Sequence, residues 1–356
     1  MIVLAFNAGS SSLKHTVLEM PAGRRVDRGE TGGLTGGGHG AAADDVLRAL
    51  DEAGIRPEAV GHRIVHGGDR HAPAAVDDAL LAELDGVAPL APLHVPPQLE
   101  VVRAARRRLP EVAHVACFDT AFHRAMPEIA QRLPVPEELW ARGVRRYGFH
   151  GLSYEYVLST LGTPPPPRVL MCHLGAGASM AAVRDGRPVD TTMSFTPGAG
   201  LMMATRAGDL DSGLLLHLMR EDGMDADALD RLVNRESGLL GVGGTHDMRT
   251  LVERRGDDPR ADLAVDMFCH VARRHAGAMA ASLGGLDVLV FTGGIGEHSP
   301  EVRAGVCDGL GHLGVVLDPT ANAANAPVVS AAAAGCEVRV TPTDEDLVIA
   351  RAAARS

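Results

Sequence analysis

A chain of 356 residues, 46% hydrophobic and 22% charged, holds enough apolar material for about two cored domains and is not a disordered tail. Its net charge of −11 excludes the basic face that DNA or RNA binding uses. Cys117, Cys172, Cys269, Cys307 and Cys336 include no C-x-x-C pair, which argues against a disulfide framework or zinc ribbon and for a reducing cytoplasm. No apolar run reaches bilayer length and residues 1–6 lack a charged leader, so neither a membrane span nor a targeting segment is expected.

In chain order, residues 2–6 form a short apolar strand, 7–12 a polar Gly/Ser turn and 13–18 a second strand, a hairpin with an exposed tip. Residues 32–43 are glycine-rich and read as a linker or surface loop, and 103–108 and 154–161 read as helices. Residues 163–167 hold four consecutive prolines, extended chain in a loop or hinge. The hairpin grammar returns as strand 169–173, turn 174–179 and strand 180–183, so the chain reads as two related halves. After a helix at 263–283, the strand 288–292 runs into Gly293, Gly294 and Gly296, and a helical pattern follows over 300–313. Strand, glycine turn, helix is a nucleotide-site layout, whereas 331–334 is an alanine-rich surface segment. The alternation implies an α/β architecture of two lobes around a cleft.

The tip from Asn7 to Lys14 offers uncrowded backbone N–H groups, three hydroxyls and one ammonium, all suited to phosphate oxygens. It lacks the G-x-x-x-x-G-K-[ST] spacing, and a strand rather than a helix follows it, so it is not a Walker loop. Lys14 is the one lysine among 34 Lys and Arg residues, read either as a place where a compact charge suits and an arginine fork does not, or as a chance survivor. A plain turn is the alternative for either tip alone; paired with the tip at 173–179, the two suit a polyphosphate clamp.

The ordered motifs NAGSSSLK from Asn7, GHRIVHGG from Gly61, PLAPLH from Pro89, FDTAFH from Phe118, RRYGFHG from Arg145 and CHLGAGAS from Cys172 resemble the acetate and propionate kinase family. So do FTPGAGLMMATRAGDLD from Phe195, SGLLG from Ser237, HDMR from His246, FTGGIGEH from Phe291 and PTDEDL from Pro342. The resemblance runs essentially end to end. It implies a two-lobed actin-like (ribonuclease H-like) α/β fold with duplicated domains around a central cleft, residues 1–121 with the C-terminal helix 346–356 forming one lobe and 122–345 the nucleotide-binding lobe. It implies a homodimer and reversible, direct in-line transfer of the ATP γ-phosphoryl group to acetate, giving acetyl phosphate and ADP. Magnesium, or manganese in its place, is the implied cation.

By that resemblance Arg63 engages the acetate carboxylate, and Val65, Leu93, Phe149 and Pro197 seat its methyl group. Arg206 screens the transferring phosphoryl oxygens and His150 donates to the pentacoordinate phosphoryl group. Asp119 is the catalytic acidic residue, orienting Arg206 or the water shell of the metal rather than abstracting a proton. Asn7 and Glu345 position magnesium. Ser10, Ser12, Lys14 and the tip His173, Leu174, Gly175, Ala176 and Gly177 lie near the phosphates. Asp247, Met248 and Arg249 with Gly294, Ile295, Gly296, Glu297 and His298 take the adenosine, and Gly293 and Gly294 leave room for an adenine. Plainer readings stand beside these: an ion pair to Asp209 for Arg206, a core histidine for His150, a helix N-cap for Asp119, an acidic helix start for Glu345, and a positive-φ turn for the two glycines.

The chain departs from the family pattern where Ala176 replaces an asparagine, His298 an asparagine, Val95 an asparagine and Tyr154 a histidine. An active but divergent kinase is expected. The alternatives are a propionate or other short-chain acyl kinase and, from another class, a weakly catalytic nucleotide-dependent sensor or scaffold.

Overall fold

The structure, a computed structural model, describes residues 1–34 and 37–356, and the chain packs as two units. The first comprises Met1–Ala125, Phe149–Tyr156 and Asp344–Ser356, and the second Met126–Gly148 and Val157–Thr343.

The first unit is built on a sheet of order β3-β2-β1-β4-β6-β5, with β1 Ile2–Ala8, β2 Ser12–Glu19, β3 Arg24–Gly32, β4 Ala59–Ile64, β5 Ala74–Ala75 and β6 Ala113–Phe118. Strands β1, β2 and β3 pair antiparallel, whereas β1, β4 and β6 run parallel. Residues 3–6 are all buried because β1 is central and covered on both faces, the reason its sequence is a continuous apolar run. Successive side chains go to opposite faces. Leu4 and Phe6 join the cluster containing Val46, Leu47, Val101 and Ala104 from helices Gly38–Glu52 and Val95–Arg108. Val3 and Ala5 join Val348, Ile349 and Ala353 of the C-terminal helix Glu345–Ala353.

The second unit repeats the plan in a sheet of order β11-β10-β7-β8-β9, formed by β7 Arg168–Leu174, β8 Ala178–Arg184, β9 Arg187–Thr191, β10 Val288–Thr292 and β11 Glu337–Val340. Again three strands form an antiparallel meander, β7–β8–β9, and the remaining two extend the sheet in parallel. The long helix Pro259–Leu283, capped by Asp258 and ended by Gly284 in the left-handed conformation, packs on it and buries Phe268, Ala272, Ala276 and Met279.

Three local expectations change. Within 32–43 the chain is already helical from Gly38, and Thr35 and Gly36 of that stretch lie outside the described residues. The helix after Pro300 stops at Cys307, where Gly309 with φ +82° turns the chain. The proline run at 163–167 lies inside the second unit, so no boundary falls on it, and residues 149–156 pack with the first unit instead of staying within 122–345.

The first unit buries uncharged histidines. His66 and His123 are 0% and 1% exposed, and burial pulls the pKa of each down to about 4, partly opposed at His66 by Asp69 and at His123 by the Phe149 carbonyl. An unfolded histidine titrates near pH 6.5, so between about pH 6.5 and 4 the unfolded chain binds more protons than the folded one and stability falls with falling pH. The urea midpoint is therefore expected to drop from pH 7 to pH 5, each histidine contributing on the order of 2 kcal/mol at the lower value. A midpoint that stays level or rises across that interval would contradict the neutral burial.

Candidate active site

In the first unit, the ends of the three parallel strands deliver the polar residues. Asn7 lies near the end of β1, Arg63 near the end of β4, and Asp119 follows β6 directly. Ligands of open α/β sheets gather at such carboxyl ends. Arg63 Nε donates to both Asp119 oxygens at 3.0 and 3.2 Å, Nη2 donates to Oδ2 at 2.6 Å, and Nη1 donates to Asn7 Oδ1 at 2.9 Å. Asn7 Nδ2 in turn donates to Glu345 Oε2 at 3.2 Å, and that oxygen lies 3.6 Å from Arg63 Nε. Asp119 is 1% exposed and Arg63 17%. Burial, with Glu345 nearby, raises the Asp119 carboxyl to about 6 in spite of Arg63. Burial acts to lower the Arg63 guanidinium, but Asp119 and Glu345 outweigh it and hold the pKa above its usual value.

Both Asp119 oxygens thus serve Arg63, a pairing the sequence did not reveal; Asp119 is not a helix N-cap. In the same unit Phe149 and Val65 are buried, and Leu93 is half-buried. His150 carries φ +61°, a left-handed conformation a histidine adopts only under constraint, and the next residue donates its N–H to the Asp119 carbonyl at 2.8 Å. A Cβ on Gly151 would stand 2.2 Å from that carbonyl oxygen, so only glycine lets residue 150 sit this close to Asp119.

Two further residues organise this half. Gln98, 1% exposed, accepts from Val65 N–H at 2.9 Å and donates to the Ala8 carbonyl at 3.0 Å, tying the ends of β4 and β1 together. His123 Nε2 donates to the Phe149 carbonyl at 2.9 Å. Both lie in recognisable motif neighbourhoods, but nothing in their spacing marks them. The tip residues Ser10 and Lys14 are exposed, and the Lys14 ammonium stands 3.9 Å from Glu30 on the adjacent strand, a solvated pair of small energetic weight.

In the second unit, parallel pairing of β10 with β7 sets Thr292 beside His173 and brings the 173–177 tip to the Gly293–His298 turn. The two glycines there differ. Gly293, at φ +77°, is demanded by the fold, since its Cβ would stand 2.8 Å from the Leu174 carbonyl oxygen. Gly294 is exposed with nothing within 4 Å of the place a Cβ would occupy, so the protein itself supplies no steric reason for its small size. Ala176 is exposed at the tip, and its carbonyl accepts from Ala204 N–H at 3.1 Å, tethering the segment that carries Arg206.

Arg206 Nη1 donates to the Pro197 carbonyl at 3.0 Å and contacts Met203 Sδ at 3.6 Å. Among the described residues no carboxylate lies within ion-pairing distance of it, and burial lowers its pKa. The ion pair to Asp209 does not form: Asp209 instead accepts from Gly200 N–H at 2.7 Å. The Arg206 backbone is pinned by Gly238, φ +63°, whose Cβ would stand 2.2 Å from the Met203 carbonyl oxygen and 2.7 Å from that of Arg206. That is the physical content of the SGLLG motif.

Two residues expected at the nucleotide also serve the local fold. The Asp247 carboxylate caps helix Met248–Glu253, accepting from Thr250 Oγ1 at 2.6 Å and from the Arg249 and Thr250 N–H groups at 3.3 Å. Thr250 is the main cause of its lowered pKa. Met248 is buried, whereas Arg249 and His298 are exposed. Glu297 Oε1 accepts from Gly293 N–H at 2.8 Å and from Thr343 N–H at 3.4 Å, bracing its own turn.

The duplicated sheets define an actin-like α/β fold. The sequence profile of the Acetokinase family matches residues 35–351. The chain is 43% identical over 387 residues to an acetate kinase of Rhodopseudomonas palustris, covering 98% of this chain and 97% of that one. It is 42% identical over 384 residues to a propionate kinase of Citrobacter rodentium, covering 98% and 95%. The crystal structure of Porphyromonas gingivalis acetate kinase matches with a TM-score of 0.91 at 36% identity, and that of a propionate kinase from Francisella tularensis with 0.94 at 30%, each over 99% of both chains. The chain belongs to the acetokinase family, kinases that use ATP with a divalent metal.

The residues present fit such a cation. Asn7 Oδ1 and the Glu345 carboxylate are hard oxygen donors held side by side by their mutual hydrogen bond. Among the described residues no group of three His, Cys, Asp or Glu forms a closed metal cage. A site of few protein oxygens, completed by water and phosphate, is the coordination magnesium favours.

Proposed function

We propose that the protein transfers the γ-phosphoryl group of ATP to acetate, reversibly, giving acetyl phosphate and ADP. The observation that carries this reading is Arg206, a partly buried guanidinium with no acidic partner among the described residues, open to an anionic ligand. An acetate oxygen attacks the γ-phosphorus in line, the bond to the β,γ-bridging oxygen breaks, and ADP departs with that electron pair. Acetate is ionised near pH 7, so no proton need be removed. The barrier lies in bringing one anion to another, which calls for positioning and fixed positive charge.

Arg63 is assigned to the acetate carboxylate, with Asp119 fixing the angle of its fork through Nε and Nη2 and leaving Nη1 on the side of Asn7. Val65, Leu93 and Phe149, with Pro197, are assigned to the methyl group. Arg206 and His150 are assigned to the transferring phosphoryl oxygens. Ser10, Ser12, Lys14 and the 173–177 tip take the phosphates, and the 247–249 and 294–298 segments take the adenosine; the open space at Gly294 favours a nucleotide over a smaller donor. Magnesium, for which manganese can substitute, held by Asn7 and Glu345, neutralises phosphate charge when bound. We place the protein in the cytoplasm, in keeping with five buried free cysteines. We propose a homodimer, in keeping with helix Ser212–Glu221, which has no buried residue and leaves Leu214, Leu216 and Met219 at 42–48% exposure.

The test is hydroxamate trapping of the acyl phosphate from acetate, propionate and butyrate, with wild type beside Ala176→Asn. Acetate is expected to give the highest kcat/KM, by about 10-fold or more over butyrate, since each methylene is worth about 1–3 kcal/mol in an apolar pocket. The asparagine is expected to raise turnover by restoring an amide at the tip. Propionate ranking first would identify a propionate kinase, a reading the two propionate kinase relatives favour. No turnover from folded, ADP-binding protein would replace the kinase with a nucleotide-dependent sensor.

A further inference from the structure

Arg303, on helix Pro300–Cys307, is 0% exposed. Its Nε donates to Asn322 Oδ1 at 2.8 Å, its Nη1 to the Gly296 and Glu297 carbonyls at 2.9 and 3.0 Å, and its Nη2 to the Asn322 carbonyl at 2.8 Å and Asn325 Oδ1 at 2.6 Å. A guanidinium has five N–H groups, and each is used here. Every acceptor is a neutral oxygen, although a buried arginine ordinarily faces a carboxylate. Burial lowers its pKa, the expected cost of that choice.

The acceptors explain the arrangement. Helix Gly293–His298 is too short to satisfy its own last carbonyls, and the N–H that Gly296 would look to belongs to residue 300, a proline with none. Arg303 supplies the missing donors. Its other prongs hold Asn322, which itself donates to the Pro300 carbonyl at 2.9 Å, and Asn325, held at φ +50°. Glu297 braces the opposite end of the same turn through Gly293 and Thr343.

We infer that Arg303 is a positioning residue for nucleotide binding: its fork bolts the Gly293–His298 turn to the segment 319–325 and so fixes the open floor at Gly294 and the exposed His298. The inference rests on the proposed reading of that turn as part of the nucleotide site. A turn fixed before the ligand arrives spares the nucleotide the cost of ordering it. The acetate residues of the first unit make none of these bonds, so the effect is selective.

Arg303→Lys keeps the charge but offers three donors on a flexible stem, leaving at least two acceptors unserved. The dissociation constant for ADP by calorimetry and the KM for ATP are expected to rise about tenfold or more, with the acetate KM within about twofold of wild type and kcat largely kept at saturating ATP. Unchanged ADP affinity, or an acetate KM that rises in step, would overturn the inference and leave Arg303 a general element of stability. Should the lysine variant not fold, Asn325→Ala removes one contact at the far end of the fork; a rise of about threefold in the ADP constant supports the inference and an unchanged constant overturns it. Wild-type protein that fails to bind ADP removes the nucleotide reading and this inference together, whereas normal wild-type binding with an unaffected variant removes only the inference.

Discussion

Arg206→Met is expected to lower turnover by about 10³-fold or more while leaving the urea midpoint equal to wild type or slightly higher. A positive charge facing the transferring phosphoryl oxygens acts where charge moves in the transition state, so its loss is felt in kcat. The folded protein, in contrast, bears Arg206 as an uncompensated charge: its bonds are one carbonyl and one thioether, and burial depresses its pKa. Replacing it with an apolar side chain of similar length removes that desolvation cost and orphans no carboxylate. Side-by-side kcat and denaturation curves decide the matter. A variant with near-normal turnover, or one destabilised by several kcal/mol, would show that Arg206 serves the fold.

Arg63→Ala is expected to abolish turnover as well, but to destabilise the fold by about 3–5 kcal/mol, because it strands a buried carboxylate. Asp119 is 1% exposed and spends both oxygens on Arg63; without the guanidinium it either stays charged in an apolar setting or takes up a proton well above the usual carboxylate range. Adding Asp119→Ala should return much of the lost stability and none of the activity, since pair removal is far cheaper than pair breaking. Urea midpoints of the two single variants and the double variant measure this coupling. Additive losses would mean the pair does not hold together as the geometry shows.

The opposite stability effects expected of two arginines in one reaction follow from their neighbours, which the sequence could not display. Arg63 and Asp119 are 56 residues apart and meet at parallel strand ends, and Asn7 and Glu345 are 338 apart and meet where the C-terminal helix begins beside the end of β1. Hairpins and the strand 288–292 were legible because central buried strands write themselves as apolar runs between glycine turns. The edge strand β3, Arg24–Gly32, was not, since a charged edge carries no apolar alternation. Helix Gly38–Glu52 begins inside glycine-rich sequence, which hid its start. The motifs singled out Asp119, Asp247 and Glu297 by position alone. Only the coordinates show that Asp119 clamps an arginine, that Asp247 caps a helix and that Glu297 braces a turn. Arg303 left no trace in the pattern because its role lies in five acceptors on two separate segments.

The most direct test of the central claim is phosphorus NMR of the purified protein with ATP, magnesium and acetate. The reading predicts an acetyl phosphate resonance growing in step with ADP, and its loss in Arg206→Met protein that is still folded. ATP that remains intact in the presence of acetate, or ADP and inorganic phosphate appearing with no acetyl phosphate, would contradict it.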